Sequence, residues 1–344
     1  MLQTRIKLHV HYALLAITLC SACLLSSQIL EAATYYVATT GNDSNIGTES
    51  MPFRTIGKGV TVLYPGDKLY VKNGTYPESF YGKIPGGSSW SSPVTIAAYP
   101  GHSVTLRPNP GPDVVLYFKG VNQQYIVVEG LILDAINVGN AIKITYGTWD
   151  GYASRIRIKN CEVKNARYSG ILTSINSGNN EFIGLKVHDN GSRPQYDHGF
   201  YLTSSNNLIE GCTVFNNKTY GIQLYNSNRT VSNNIIRNNV IYDNAVGGDG
   251  YGIIITSGSG NKAYGNRVWG NRGGIKIDYA SDTEISNNIV YSNNRGPSEA
   301  GVKIGSGGLG TVVKNNNVYN NFAGQITNFG FLTQLIGNVF GPPQ

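Results

Sequence analysis

The stretch GCTVFNN at residues 211–217 has near copies before and after it in the chain. The copies are GLKVHDN at 184–190, NNVIYDN at 238–244, GNRVWGN at 265–271, NNIVYSN at 287–293 and NNNVYNN at 315–321. Each copy carries a central aliphatic residue and ends in Asn. From about residue 126 the chain repeats itself every 22 to 31 residues. Such repetition is typical of a solenoid, in which each coil is one supersecondary unit.

A second unit, Gly followed by an aliphatic, a variable and an aliphatic residue, alternates with the first and reads GIQL at 221–224. Its other copies are AIKI at 141–144, GILT at 170–173, GFYL at 199–202, GIII at 252–255, GIKI at 274–277 and GVKI at 301–304. In a strand, both aliphatic positions lie on one face and the variable position lies on the other. Strands this short do not form a core singly, so we expect them to stack in parallel.

Asn and aromatic residues recur at fixed positions of the first unit. One Asn column is predicted at Asn190, Asn217, Asn244, Asn271, Asn293 and Asn321, and a second at Asn239, Asn266, Asn288 and Asn316. An outward aromatic column is predicted at His188, Phe215, Tyr242, Trp269, Tyr291 and Tyr319. Asn tolerates left-handed turns, and its amide bonds to the same amide one coil away, so these columns are predicted to build the fold.

Composition restricts the class of protein. Of 344 residues, 43 are Gly, only 14% are charged and 40% are hydrophobic, which disfavours both a helical fold and a disordered chain. The net charge is +7, but the basic residues are scattered and form no cluster suited to nucleic acid. We therefore expect an acidic extracellular partner, no nucleic acid and a monomer.

The N-terminus has the pattern of a secretory leader. Arg5 and Lys7 precede an apolar run over residues 12–25 that is too short to span a bilayer comfortably. We expect residues 1–33 to be a signal peptide and the mature protein to be secreted or periplasmic, with a lipoprotein as the less favoured alternative. No later run is long enough to be transmembrane.

Two cysteines, Cys161 and Cys212, remain after the leader. They share one interior column, but the coil of Leu185 lies between them, which places their Cα atoms near 10 Å apart at about 4.8 Å per coil. A disulfide spans no more than about 7 Å. Both are therefore predicted to be buried free thiols.

These repeats resemble the right-handed parallel β-helix of the pectin-lyase-like superfamily. The segments YYVATTGND at 35–43, PFRTIGKGV at 52–60 and PGDKLYVKNGTYPES at 65–79 are similar to the N-terminal part of secreted family 9 pectate lyases and of chondroitinase-B-type and alginate lyases. The resemblance implies an all-β, right-handed parallel β-helix in one domain. It would comprise N-terminal strands and a cap at 34–93, coils at 94–321 and a C-terminal cap at 322–344. The helical spacing of Ile56, Val60 and Leu63 predicts a short capping helix within residues 53–63.

In that superfamily the substrate cleft lies over the parallel sheet formed by the second unit. Carried over to this chain, the floor is the variable column Lys143, Leu172, Tyr201, Gln223, Ile254, Lys276 and Lys303. Tyr225 and Asp278 lie two residues further along their strands. Long loops at 191–198, 245–251 and 294–300 add Arg193, Tyr196, Asp197, His198, Asp249 and Glu299. Tyrosines, cations and amides together suit a uronate sugar, which they stack on and pair with.

Two groups of residues are candidates for catalysis. Lys276 and Lys303 lie one coil apart, and like charges at that spacing favour the neutral, basic form of one amine. Asp278 would steer Lys276 or contribute to a cation site, although a solvated lysine face explains the same residues. The alternative group is Asp197, His198 and Tyr201, whose Asp-His pair resembles the Asp-Pro-His element of mannuronan C5-epimerases without its proline. Three coils, about 14 Å, separate Tyr201 from Lys276, so the two groups are alternatives.

Departures from the families leave the activity open. The tight aspartate cluster that holds calcium in family 9 pectate lyases is absent, so Ca2+ is possible only at a site assembled from separate turns. Three functions fit the sequence: a lyase or epimerase acting on an acidic polysaccharide, a non-catalytic carbohydrate-binding or envelope protein, and a glycoside hydrolase using two of the carboxylates Asp249, Asp278 and Glu299. The first is favoured.

Overall fold

A computed structural model describes residues 32–147, 151–246 and 250–341. The predicted signal peptide lies outside these residues except for its last two positions. The chain divides into a unit at Met1–Ala32 and a compact unit at Ala33–Gln344, and the second unit is the one described below. Within the described ranges, no helix is long and apolar enough to cross a bilayer.

Three parallel sheets, named A, B and C, form the fold, and the chain visits them in that order in successive coils. Sheet A contains Thr34–Val37, Lys68–Val71, Val94–Ala98, Ile126–Glu129, Ile156–Lys159, Glu181–Ile183, Leu208–Glu210, Ile235–Arg237, Lys262–Tyr264, Glu284–Ser286, Val312–Lys314 and Gln334–Ile336. Sheet B contains Gly74–Tyr76, Val104–Leu106, Leu131–Asp134, Glu162–Lys164, Lys186–His188, Thr213–Phe215, Val240–Tyr242, Arg267–Trp269, Ile289–Tyr291 and Asn317–Tyr319. Sheet C contains Phe80–Tyr81, Val114–Lys119, Asn140–Gly147, Ile171–Thr173, Phe200–Leu202, Ile222–Leu224, Tyr251–Ile255, Gly273–Ile277, Val302–Ile304 and Ile326–Asn328, and Gly151–Tyr152 pairs antiparallel with Asn140–Gly147.

This architecture confirms the predicted right-handed parallel β-helix. The strands alternate as the repeats require: in Ile222–Leu224 both aliphatic residues are buried and Gln223 faces outward. The buried residues of successive coils stack in register, as Phe200 does on Ile222 and Ile222 on Ile253. Stacking of this kind removes a continuous apolar column from water, which no single coil achieves alone.

One helical turn, α1 at Ile56–Val60, lies within the segment predicted as a helix and is shorter than that segment. Thr55 caps it by accepting a hydrogen bond from the Lys58 amide at 3.0 Å, and the Glu78 carboxylate accepts from the Ile56 and Gly57 amides. That this turn closes the open end of the core stays a prediction.

Buried Asn side chains form three hydrogen-bonded ladders along the axis. Both predicted columns are present; for example, Nδ2 of Asn217 donates to Oδ1 of Asn244 at 2.9 Å, and Nδ2 of Asn239 to Oδ1 of Asn266 at 2.9 Å. A third ladder, which the repeats did not reveal, joins residues Asn180, Asn207, Asn234 and Asn261.

The left-handed backbone belongs to the residue before each ladder Asn and not to the ladder Asn itself. Asn216 and Asn238 have φ of 56°, and they precede Asn217 and Asn239. Two properties make Asn frequent here: tolerance of left-handed backbone and an amide that bonds to the next coil. The first property serves the residue before the ladder, and the second serves the ladder Asn.

The aromatic column on sheet B is confirmed. Adjacent rings from His188 to Tyr319 lie 4.6 to 5.7 Å apart at interplanar angles of 2 to 13°. Because each ring covers its neighbours' faces, the column is a structural stack that leaves mainly ring edges toward solvent.

The cysteine prediction is also confirmed. Cys161 and Cys212 are free and buried, and Cys212 Sγ accepts a hydrogen bond from the Leu185 amide at 3.4 Å. Burial raises the pKa of each thiol to about 12.

The segment predicted to cap the C-terminus forms one more coil. Ile326–Asn328 and Gln334–Ile336 pair with the preceding strands of sheets C and A. Large apolar side chains of this coil remain exposed, including Phe329, Phe331 and Leu332. Protection of the end by the tail stays a prediction.

Candidate functional site

The outward column of sheet C forms the floor of the candidate site. Strand pairing aligns Lys143, Leu172, Tyr201, Gln223, Ile254, Lys276 and Lys303 in successive coils, in the order expected from the repeats. Three coils therefore separate Tyr201 from Lys276. Ile254, between Gln223 and Lys276, faces outward and is nevertheless buried.

Glycines at the start of these strands bring the floor against the Asn ladders. A Cβ atom on Gly252 would lie 2.9 Å from Nδ2 of Asn271, and one on Gly301 would lie 2.5 Å from Nδ2 of Asn321. Any larger residue would push the strand away from the ladder. The Gly of the repeat unit is thus a packing requirement that holds the outward column of sheet C in place.

Lys276 and Lys303 each contact a carboxylate of their own. Nζ of Lys276 lies 3.5 Å from Asp278, and Nζ of Lys303 lies 3.0 Å from Glu299. Both lysine side chains are about one quarter exposed, so they are accessible from the outer face of sheet C. The two ion pairs offset the repulsion between the ammonium groups, and the structure brings these four predicted residues together in one cluster.

Tyr251 belongs to the same cluster, and sequence reasoning missed it. The Lys276 Nζ lies 5.8 Å from the centroid of its ring, and the ring occupies the space next to Gly273, where a Cβ would lie 2.4 Å from Cε1. The Tyr251 side chain is buried, and its hydroxyl has no hydrogen-bond partner among the described residues. The sequence does contain an indication of this contact. Tyr251 is aligned with Gly273 one coil later, and the absence of a side chain at Gly273 leaves space for the Tyr251 ring.

His198 lies beneath two tyrosines. Its ring centroid is 5.3 Å from that of Tyr201 and 4.9 Å from that of Tyr220, and only 2% of the residue is exposed. Burial lowers the pKa of His198 to about 3, against a smaller opposite effect of Asp197. The imidazole is therefore neutral at pH 7 and screened from a ligand on the floor.

Asp197 holds the loop at 191–198 together. Its carboxylate is fully buried and accepts from the Ser192 and Arg193 amides at 3.1 and 2.7 Å and from the Arg193 guanidinium at 2.8 Å. No hydrogen bond joins Asp197 to His198 in the part of the chain described. Asp197 and His198 are neighbours in sequence, but they do not form the hydrogen-bonded pair considered for catalysis.

Of the remaining predicted binding residues, Arg193, Tyr196, Gln223 and Tyr225 belong to the part of the chain that the structure describes. Arg193 stacks its guanidinium on Tyr168 at 4.4 Å and on Tyr196 at 5.7 Å, and Tyr196 is 66% exposed. Gln223 is half-buried in the column, and Tyr225 is exposed two residues further along the strand. Asp249 lies outside the described residues.

A metal site is not apparent in residues 32–147, 151–246 and 250–341, where no group of three His, Cys, Asp or Glu side chains is placed to hold an ion. The acidic residues of the cluster are instead engaged by lysines.

Comparison with known proteins places these features among β-helices. The model of the right-handed beta helix region matches residues 136–248 and 229–340, and that of a domain of unknown function, DUF1565, matches residues 39–85. Uncharacterized protein YwoF of Bacillus subtilis is 27% identical over 308 residues, which cover 83% of this chain and 62% of that protein. Pectate lyase PEL9 of Emericella nidulans is 22% identical over 204 residues, which cover 56% of this chain and 50% of that protein.

Among solved structures, that of pectate lyase Pel9A superimposes with a TM-score of 0.56 at 18% identity, covering 88% of this chain and 80% of that chain. This likeness shows the shared fold. The chain spans between half and two thirds of the length of the two curated relatives.

Proposed function

Since the chain belongs to the right-handed β-helix family, and since its third sheet carries two ion-paired lysines one coil apart, we propose that it is a secreted lyase or epimerase acting on a uronate-containing polysaccharide. The observation that carries the proposal is the cluster of Lys276–Asp278 and Lys303–Glu299 on the floor of sheet C. The name of its relative, pectate lyase PEL9, supports an acidic polysaccharide as the substrate class.

The chemistry needs a base and a positive group near the sugar carboxylate. Once its ammonium group has given a proton to solvent, Lys276 takes the proton from C5 of the uronate, and Lys303 stabilises the developing charge on the carboxylate. In a lyase the electrons of the C5–H bond then form the C4–C5 double bond, and the C4–O bond breaks as the Lys276 ammonium gives its proton to the leaving oxygen. In an epimerase, water gives a proton to C5 from the other face, and the Lys276 ammonium then loses its proton to solvent.

The lysine cluster is favoured over the Asp197, His198 and Tyr201 group for a geometric reason. A base must come within about 3 Å of the proton it removes, and the His198 ring is covered by Tyr201 and Tyr220. The nitrogen of Lys276 faces outward on the floor of the sheet.

The test is an assay of the purified protein on pectate, alginate and glycosaminoglycans, with calcium and with chelator. Ultraviolet absorbance reports unsaturated uronate, and deuterium uptake at C5 from D2O reports epimerisation. We expect Lys276→Ala to lower the rate by about 10²–10⁴-fold. The matched control is Lys314→Ala, which removes another ion-paired lysine, 3.1 Å from Glu284 on sheet A, and should keep full activity.

Other outcomes decide against the proposal. Loss of activity in His198→Ala with full activity in a folded Lys276→Ala would move the base to His198. New reducing ends without unsaturation would indicate a hydrolase using Asp278 and Glu299, whereas binding without any product would indicate a carbohydrate-binding protein.

Secretion and a monomeric state complete the proposal. N-terminal sequencing of the protein recovered from the medium or periplasm tests cleavage near residue 33, and light scattering of the purified protein tests the monomer.

A further inference from the structure

A tyrosine-bearing hairpin rises beside sheet C at some distance from the lysines. The strand Asn140–Gly147 continues past its neighbours and pairs antiparallel with Gly151–Tyr152, so that Tyr146 and Tyr152 are direct cross-strand partners. Their ring centroids lie 6.0 Å apart at 62°. Tyr146 is 57% exposed and Tyr152 is 38% exposed, so the core of the solenoid does not account for either ring.

The two rings form one wall of a cavity of about 560 Å³, which is within the usual size of ligand pockets. The other lining residues are Ser174, Ile175, Asn176, Thr203 and Asn228. None of them is charged. This composition contrasts with the lysine cluster, where every candidate contact except Tyr251 carries a charge.

The polar side of the cavity is held in place by its own hydrogen bonds. Asn226 donates to the Thr203 carbonyl at 3.0 Å and accepts from the Thr230 amide at 3.0 Å, which fixes the loop that carries Asn228. The side chains of Asn176 and Asn228 are exposed and make no hydrogen bond to another described residue. Two amides are therefore available to a ligand opposite two aromatic rings.

We propose that this cavity, between the Tyr146–Tyr152 hairpin and the Asn176 and Asn228 loops, is a sugar-binding subsite. Aromatic rings pack against the C–H face of a sugar, and amides and hydroxyls bind its hydroxyl groups. Because no cation lines the cavity, it recognises the ring and hydroxyls of the sugar and not a carboxylate.

The distance between the subsite and the lysine cluster sets the shortest ligand that can occupy both, an inference that rests on the proposed function. Thr203 in the cavity and Asp278 beside Lys276 occupy equivalent positions three coils apart, about 14 Å at 4.8 Å per coil. Only a chain of about three or more sugar residues reaches both places. The protein therefore binds fully only a ligand of about three or more sugar residues and loses efficiency on shorter oligosaccharides.

The experiment measures polymer affinity separately from catalysis. The double variant Tyr146→Ala/Tyr152→Ala and its parent, both in a Lys276→Ala background, are compared by affinity electrophoresis and calorimetry on pectate, alginate and neutral xylan. We expect a loss of affinity of about ten-fold or more for the polymer that binds, equal in 50 and 500 mM NaCl because no charge is involved. With Lys276 intact, the double variant should lower kcat/KM on the polymer and leave that on a disaccharide unchanged.

A control variant tests whether any exposed tyrosine contributes to polymer affinity. Tyr64→Ala removes a tyrosine that is 63% exposed outside sheet C and should leave affinity unchanged. If the double variant does not fold, as judged by circular dichroism, Asn176→Ala/Asn228→Ala tests the same cavity from its polar side. Unchanged affinity in a folded variant overturns the subsite, as does a loss confined to low salt. If the protein binds only neutral xylan, and the double variant weakens that binding, the sugar-binding subsite is supported. The same result would contradict the proposal of an acidic polysaccharide as the substrate.

Discussion

Gly221 and Asn244 are packed so closely that a Cβ atom on Gly221 would lie 3.0 Å from the side-chain nitrogen of Asn244. The same Cβ would lie 2.7 Å from the carbonyl oxygen of Gly252 in the next coil. The Asn motif and the Gly motif of the sequence therefore depend on each other for packing. The Asn ladder satisfies the backbone at the turn, and the Gly lets the following strand of sheet C approach it.

The first prediction concerns the ladder. Asn244→Ala removes an amide that accepts from Asn217 and donates to the Val214 carbonyl and to Asn271, all in the interior. The buried groups left without partners should lower the free energy of unfolding by about 2–5 kcal/mol. Denaturant unfolding measures this. Asn109→Ala, at an exposed position, is the control and should change stability little; equal stability of the two variants would contradict the structural role of the ladder.

The second prediction compares two glycines. Gly221→Ala should destabilise the protein by about 1–3 kcal/mol because the added methyl group has no space. Gly211→Asn should change stability by less than about 0.5 kcal/mol, since a Cβ there meets nothing closer than 3.9 Å and Asn accepts its φ of 63°. Thermal unfolding of both variants measures these changes. A larger loss of stability in Gly211→Asn than in Gly221→Ala would show that Gly211, and not Gly221, is the glycine required for packing.

The third prediction is a pH dependence from His198. Burial holds the pKa of His198 at about 3 in the folded protein, against about 6.5 in the unfolded chain. Between these values the unfolded chain binds the proton and the folded protein does not, so stability falls as pH falls from about 6.5 toward 3. The slope contributed by this residue approaches about 1.4 kcal/mol per pH unit.

His198→Gln should flatten that window when the free energy of unfolding is measured between pH 4 and 7. An identical slope in the variant and in the parent would show that folding does not lower the pKa of His198.

The fourth prediction concerns the thiols. Cys161 and Cys212 are buried, and their pKa is raised to about 12, so neither should react with a disulfide reagent in the native protein at pH 8. After denaturation in the absence of reductant, a chain starting at residue 34 should release two equivalents. Fewer than two would indicate that a disulfide is present.

The sequence of repeats predicted much of this molecule because neighbouring coils share one geometry. The position of Tyr201 three coils before Lys276, the two Asn columns and the aromatic column all follow from aligning the copies. The third ladder at Asn180–Asn261 was missed because it lies beside the turns after sheet C, whose lengths vary and obscure the alignment. The hairpin at Tyr146 and Tyr152 was missed because it departs from the repeat.

What the sequence by itself determined is the register of the coils, since a ladder Asn and a strand Gly recur wherever the backbone returns to the same position. Only the tertiary structure decided which outward residues are available for chemistry. The His198 ring is covered by Tyr201 and Tyr220. The Asp197 carboxylate accepts its hydrogen bonds from Ser192 and Arg193 of its own loop. The Tyr251 ring fills the space next to Gly273, beside Lys276. The physical reason is that a repeat fixes where a backbone lies, whereas burial and pairing depend on side chains contributed by neighbouring coils and loops.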